Sequence, residues 1–230
     1  MSRHVRLLWI VNALRRTKAY LKLRGGEFSA RERWETRWSD QNYSPPWLNQ
    51  GISADLTEAV RTGWLAPEES VIDLGCGEGD VTAWLAGLGY AALGVDIAPA
   101  AIRRARDKYP ELDPDTFRVL DLANESLDQR FSSMLDRGCF HTVRPIFRDS
   151  YVANVASMAR PGTRLLLFMK AFLNEGADSE ARYAAILQQV EDSFGSRFDI
   201  ERHRRATFGA DDLPGSSTSP IGIVLWIRHR

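Results

Sequence analysis

The stretch Val71-Ile72-Asp73-Leu74-Gly75-Cys76-Gly77-Glu78-Gly79-Asp80 is where chemistry is most legible in this chain. Glycines at alternate positions behind an apolar run let the backbone turn sharply and come close to a ligand, and the helix expected next offers free N–H groups. The turn reads as the seat of something small and polar, with Asp73, Gly75, Cys76, Gly77 and Gly79 around it. Asp96 ends the next apolar run, 21 residues after Gly75. An acid so placed can take both hydroxyls of an adenosine ribose, and Ile97 follows it beside the nucleoside. Asp121 closes a third run, within reach of the base. A dinucleotide is a poor occupant: G-x-G-x-x-G needs a third glycine where this chain has Asp80, and a pyrophosphate would meet that acid.

A second stretch with reactive side chains, Leu135-Asp136-Arg137-Gly138-Cys139-Phe140-His141-Thr142-Val143, follows the fourth run. His141 is the candidate general base, since an imidazole with an ordinary pKa of about 6.5 suits proton acceptance near neutrality. Asp136 is placed to orient it or to meet an amino group of the ligand. The competing reading has His141 bonded to a backbone carbonyl beside the sheet. Tyr43, Trp47 and Phe140 can wall a cleft and present ring faces to a cation, or pack as lid and core. Arg144 and Arg148, around Pro145, suit either a substrate carboxylate or solvent. Cys76 and Cys139 read as small fillers. No metal site is expected.

These residues need a frame, and alternating strand and helix patterns supply one. Strands are expected over 71–74, 91–95, 117–120, 131–135 and 164–169, with helices over 80–88, 99–108 and 146–159, the last closed by Pro161-Gly162. Such alternation means βαβ units and a parallel sheet covered on both faces. A helix over 179–194 follows. Strands over 198–207 and 221–230, joined by the turn-rich 209–220, complete the pattern as an antiparallel hairpin on the sheet edge. The fold class expected is α/β: a Rossmann-like, mostly parallel sheet with that C-terminal hairpin and helices on both faces.

With 44% hydrophobic and 26% charged residues in 230, disordered, fibrous and multi-span membrane classes are excluded. The 30 Lys and Arg balance 30 Asp and Glu, but residues 1–26 hold seven of the cations and no acid, which leaves a mildly acidic body. Leu7, Ile10, Val11, Leu14 and Leu21 recur at helical spacing, so the arm reads as a basic amphipathic helix. It suits peripheral contact with an anionic membrane surface or nucleic acid, or packing of its apolar stripe on the body. Residues 1–50 are taken as arm and lid, the polar and aromatic 25–50 forming a linker or lid, and 51–230 as the catalytic domain. Two distant cysteines, no membrane span and a poor match to a signal peptide point to the cytoplasm.

The Asp73 two residues before Gly75, with G-x-G-x-G after it, resembles the first motif of class I S-adenosylmethionine-dependent methyltransferases. That resemblance implies a seven-stranded sheet with its last strand antiparallel and S-adenosylmethionine as cofactor. It gives the methionine part to Asp73 and to Gly75 through Gly79, the ribose to Asp96, and the adenine to Asp121 and Leu122. Pro45-Pro46-Trp47, Asp136-Arg137-Gly138-Cys139-Phe140-His141 and Arg160-Pro161-Gly162 further resemble the thiopurine, halide and thiol methyltransferase group and bacterial enzymes acting on hydroxylated heteroaromatics. The likeness covers about residues 45–230. Relatives often carry an Asp after the Trp; here Leu48 follows Trp47, so no role of that Asp transfers. The Asn/Asp-Pro-Pro-Tyr signature of amino-methylating enzymes is missing, which argues against nucleic-acid bases. The expected activity is methyl transfer to an oxygen, sulfur or nitrogen of a small, (hetero)aromatic acceptor. The alternatives are an RNA- or protein-modifying methyltransferase recruited by the basic arm, and a cofactor-binding module without catalysis.

Overall fold

The computed structural model describes residues 29–45, 51–66, 69–170, 177–206 and 222–230. The basic arm 1–26, Trp47 and the turn 209–220 lie outside the described residues.

Strands β1 (Ser70–Leu74), β2 (Ala91–Asp96), β3 (Phe117–Val119), β4 (Phe131–Arg137), β5 (Ala159–Lys170), β6 (Phe198–Ala206) and β7 (Gly222–His229) form one sheet in the order β3-β2-β1-β4-β5-β7-β6. Every pairing up to β5 is parallel, and β7 runs antiparallel to both β5 and β6. The expected Rossmann-like sheet with its antiparallel C-terminal hairpin is therefore present, the last strand lying between β5 and the edge strand β6.

Helices α1 (Ala30–Ser39), α2 (Ala54–Arg61), α3 (Asp80–Gly87), α4 (Pro99–Lys108), α5 (Pro145–Ser157) and α6 (Ala177–Phe194) cover the sheet. Strand side chains alternate between faces, and burial follows. Ile72, Met134 and Leu167 meet Tyr151 and Val155 of α5 and Phe194 of α6, while Val71, Leu135 and Trp226 meet Leu56 of α2 and Leu85 of α3. Central strands buried on both faces explain why adjacent apolar residues, Val71-Ile72 in β1 and Met134-Leu135 in β4, stand where a half-exposed strand would alternate.

Two elements differ from the sequence reading. Residues 25–50 were expected as a linker or lid, with no helix named, and α1 occupies 30–39. Ser29 accepts from the Glu32 N–H at 3.2 Å and Glu32 accepts from the Ser29 N–H at 2.6 Å, a capping box that satisfies the first turn. β5 also begins at Ala159, before the Pro161-Gly162 expected to close a helix. The extra residues are absorbed as a bulge: Phe131 pairs with Ala159 but Ser133 with Arg164, and Gly162 takes φ 84°. Thr163 pins the bulge, donating to Phe131 O at 2.6 Å and accepting from Arg160 N at 2.8 Å.

Candidate active site

The glycine turn sits at the carboxyl end of β1, clamped to β2 by Gly75 N and Cys76 N, which both donate to Val95 O at 2.8 and 2.9 Å. Gly75, Gly77 and Gly79 have φ of 78°, 57° and 86°, a region side chains rarely adopt. Space is denied as well. A Cβ at Gly79 would lie 2.5 Å from the Phe117 ring, and one at Gly75 2.7 Å from Cys139 Cβ. Glu78 and Asp80 bind Lys108, with Asp80 at 2.6 Å, and Asp80 accepts from the Tyr109 hydroxyl, so the far side of the turn is tied to the end of α4.

Asp96 closes β2 with one carboxylate oxygen accepting from Gly77 N at 3.1 Å and the other from Ala98 N at 2.9 Å. Burial pushes its pKa up to about 6 against the pull of these amides. Ile97 is half-buried beside it. Asp73 lies deeper, accepting from the Thr82 hydroxyl at 2.8 Å, and burial raises it to about 7. Its contact with α3 makes it a brace for the turn. Asp121 binds Ala123 N at 3.1 Å and Asn124 Nδ2 at 2.7 Å and stays half-buried. The Leu122 side chain is core and its carbonyl accepts from Asn154.

At the end of β4 the structure separates residues that the sequence placed together. Asp136 is fully buried and accepts from Cys139 N at 2.7 Å, Phe140 N at 3.0 Å and the Tyr151 hydroxyl at 2.6 Å. Those bonds hold the short 3-10 turn Phe140–Thr142 that carries His141. Asp136 thus acts on the turn's backbone, as a positioning residue, and is sealed from a ligand's amino group. Phe140 is not a cleft wall: it is fully buried, its ring centroid 4.9 Å from Phe194 and 5.5 Å from Tyr151. An apolar residue directly after the buried Asp136 turn falls into the α5–α6 core. His141 is half-buried, and burial, with Lys170 and Arg148 nearby, lowers its pKa to about 4. Arg148 donates to Val143 O at 3.2 Å and lies over the Phe140 ring. Both cysteines are free thiols whose pKa burial pushes well up, as suits fillers.

Sequence reasoning read 25–50 as a linker or lid without the helix that carries Trp38. Trp38 of α1 is buried on Ala98, Ala100 and Ala101 and stands where a Cβ at Gly77 would come within 3.1 Å. Glu35 fastens α1, accepting from Ala100 N at 2.7 Å and from Arg103 at 3.0 Å. Tyr43 packs edge-on to Trp38 with centroids 5.3 Å apart, and its carbonyl accepts from Arg104. This places Tyr43 near Asp96. The signal that could have found α1 is the Ser29-x-x-Glu32 box.

A methyltransferase domain model matches residues 72–165, the segment from β1 into β5. The chain is 33% identical over 132 residues to a 2-heptyl-1-hydroxyquinolin-4(1H)-one methyltransferase of Mycobacteroides abscessus, covering 55% of this chain and 57% of that one. To an uncharacterized methyltransferase of Schizosaccharomyces pombe it is 30% identical over 106 residues, 45% of this chain and 72% of that one. An S-adenosylmethionine-dependent methyltransferase structure from Anabaena variabilis superposes with a TM-score of 0.67 at 18% identity, covering 89% and 96% of the two chains. The chain belongs to the S-adenosylmethionine-dependent methyltransferase family. Its match spans little more than half the length of the quinolone-methylating relative. No helix among the described residues is long and apolar enough to cross a membrane.

The residues present fit that cofactor. The three glycines of the turn carry no Cβ of their own, and the Asp96 carboxylate, oriented by two amides, is an acceptor with lone pairs left for a diol.

Proposed function

We propose that this protein moves the methyl group of S-adenosylmethionine to an ionisable oxygen, sulfur or nitrogen of a small, (hetero)aromatic acceptor. The observation that carries the reading is the pairing of the three-glycine turn with Asp96 at adjacent strand ends. When bound, the cofactor supplies an electrophilic methyl on a sulfonium. The turn, braced from beneath by Asp73, would seat its methionine part, Asp96 with Ile97 its ribose, and Asp121 with the backbone of Leu122 its adenine. Trp38 and Tyr43 roof the site and exclude water. Alignment of this kind supplies about 7–11 kcal/mol.

On the acceptor side, His141 sets the chemistry. An imidazole of pKa about 4 is neutral at pH 7 and a weak base, so it accepts a proton only from an acidic group. The positive charges of Lys170 and Arg148 favour the acceptor's anion over its neutral form. An N-hydroxy heteroaromatic, the compound named for the Mycobacteroides abscessus relative, is of this kind; phenols, thiols and halides are the neighbouring classes.

Two measurements test the reading. Asp96→Ala should weaken S-adenosylmethionine binding at least about tenfold by calorimetry, since a hydrogen bond to a charged group is worth about 1.5–3 kcal/mol; unchanged affinity removes the ribose assignment. A panel of heteroaromatic hydroxyls, phenols, thiols and halides with isotope-labelled methyl donor should give product with an acidic acceptor. If only RNA or protein is labelled, and deleting residues 1–26 abolishes that together with salt-sensitive binding, the macromolecular alternative stands instead.

A further inference from the structure

We infer that Tyr151 is a positioning residue for the acceptor side of the reaction: its hydroxyl, acting through the Asp136 carboxylate, fixes the short turn that carries His141. The assignment rests on the methyl-transfer reading above, and it concerns a residue that touches neither cofactor nor acceptor.

Tyr151 stands in the middle of α5 and is 1% exposed. Its hydroxyl donates to Asp136 Oδ2 at 2.6 Å. Oδ1 accepts from Cys139 N at 2.7 Å, and Phe140 N lies against both oxygens, at 3.2 and 3.0 Å. Cys139 is the N-cap of the 3-10 turn and contributes no side-chain cap, so Asp136 fills that place from the end of β4. The far end of the turn closes on Cys139 O, which accepts from Thr142 N at 2.9 Å and from the Thr142 hydroxyl at 2.8 Å. His141 is therefore pinned from both sides.

The hydroxyl matters because the carboxylate it meets is sealed from water. A buried charge is costly unless its oxygens are bonded. Burial pushes Asp136 up to about 6, and Tyr151 is first among the groups that pull it down again. Without that donor Oδ2 loses its shortest bond; the carboxyl then takes up a proton or turns away, and either change loosens the two amides. The turn also abuts the cofactor side, since a Cβ at Gly75 would lie 2.7 Å from Cys139 Cβ. The same three or four residues thus set the spacing between the glycine turn and the base, and a misplacement of about 1 Å can cost about 10²-fold. The Tyr151 ring packs on Phe140, centroids 5.5 Å apart, so Tyr151→Phe removes the O–H and keeps the packing.

The test measures turnover of the full chain on two acceptors from the panel above, one protonated near neutrality and one already ionised there, such as phenol and a polyfluorinated phenol. His141→Ala sets the scale, slowing the protonated acceptor by about 10²-fold. Tyr151→Phe should lower kcat on the protonated acceptor by about tenfold, the lower end of what a hydrogen bond to a charged group supplies. On the ionised acceptor the change should stay under about twofold, and so should the change in S-adenosylmethionine affinity by calorimetry, because Val95 O clamps the glycine turn separately. Asp136→Asn keeps an oxygen for the two amides and leaves no charge for the hydroxyl to hold. Adding Tyr151→Phe to it should change kcat by less than about twofold, as expected of residues that act as one unit; this comparison carries the test if Tyr151→Phe alone does not fold. Equal slowing of both acceptors, wild-type rates in Tyr151→Phe, or the same loss with and without Asp136→Asn overturns the assignment and leaves methyl transfer standing. A wild type that methylates no member of the panel overturns both.

Discussion

A histidine that titrates near 4 carries no charge anywhere in the range where an ordinary one gains and loses it. The sign follows from its causes: burial first, then the cations Lys170 and Arg148, all disfavour the imidazolium. His141 is therefore competent to accept a proton at every pH above about 4, and its titration should leave no limb near 6.5 in the rate profile. Turnover on a hydroxylated heteroaromatic is expected to rise with pH only through the ionisation of the acceptor itself. NMR titration of the His141 ring should give an inflection close to 4, and His141→Ala should cost about 10²-fold on a weakly acidic phenol but far less on an acceptor already ionised. A limb at 6.5 that disappears in the alanine variant would mean that the imidazole is exposed to water in the working enzyme. The charged residues around it divide along the same line. Asp136 and Asp73 are sealed within the protein and act by bracing the His141 turn and α3, whereas Asp96, with its two amide donors, faces the turn.

Among elements, the glycine turn makes the sharpest demand on sequence. Gly79 and Gly89 share nearly the same backbone, φ 86° and 89°, but a Cβ at Gly79 would strike the Phe117 ring at 2.5 Å and one at Gly89 would meet nothing within 4 Å. Gly89→Ala should therefore cost only the left-handed strain, about 1 kcal/mol, and Gly79→Ala should add the displacement of a fully buried ring, about 1–3 kcal/mol more. Denaturant midpoints compare the two directly. Equal losses would mean that Phe117 moves aside freely. This turn was legible because glycine spacing encodes backbone geometry locally, and the parallel strands were legible because burial on both faces writes itself as apolar runs. What escaped is non-local or polar. Helix α1 is built largely from charged residues and has one buried side chain, Trp38, so its apolar periodicity is faint and only its cap announced it. The burial of Phe140 depends on Tyr151 and Phe194, up to 54 residues away in sequence, and no local pattern separates a cleft aromatic from a core one. The start of β5 was hidden by a Pro-Gly pair that serves as readily in a bulge as in a turn.

Across the whole molecule, the sheet order separates the site from much of the core that supports it. The glycine turn and Asp96 end β1 and β2, while β7, the last strand in sequence, lies three positions from β1, roughly 14 Å across the strands. Trp226 sits in β7 opposite Leu166 of β5 and Arg202 of β6, is almost fully buried, and has the Arg202 guanidinium 3.8 Å from its ring centroid. Trp226→Ala opens a cavity between α2 and the sheet and should destabilise the fold by about 3–5 kcal/mol. Effects at sites more than about 7–10 Å apart without shared partners add, so the loss should stay out of the cofactor site. Calorimetry on the folded variant is expected to give the wild-type dissociation constant within about twofold, and saturating S-adenosylmethionine should stabilise both proteins by the same increment, since that increment depends only on ligand concentration and affinity. A tenfold weaker affinity in Trp226→Ala would show that strain at the antiparallel end reaches β1 through β5 and β4, and the two halves of the sheet would then have to be treated as one cooperative body.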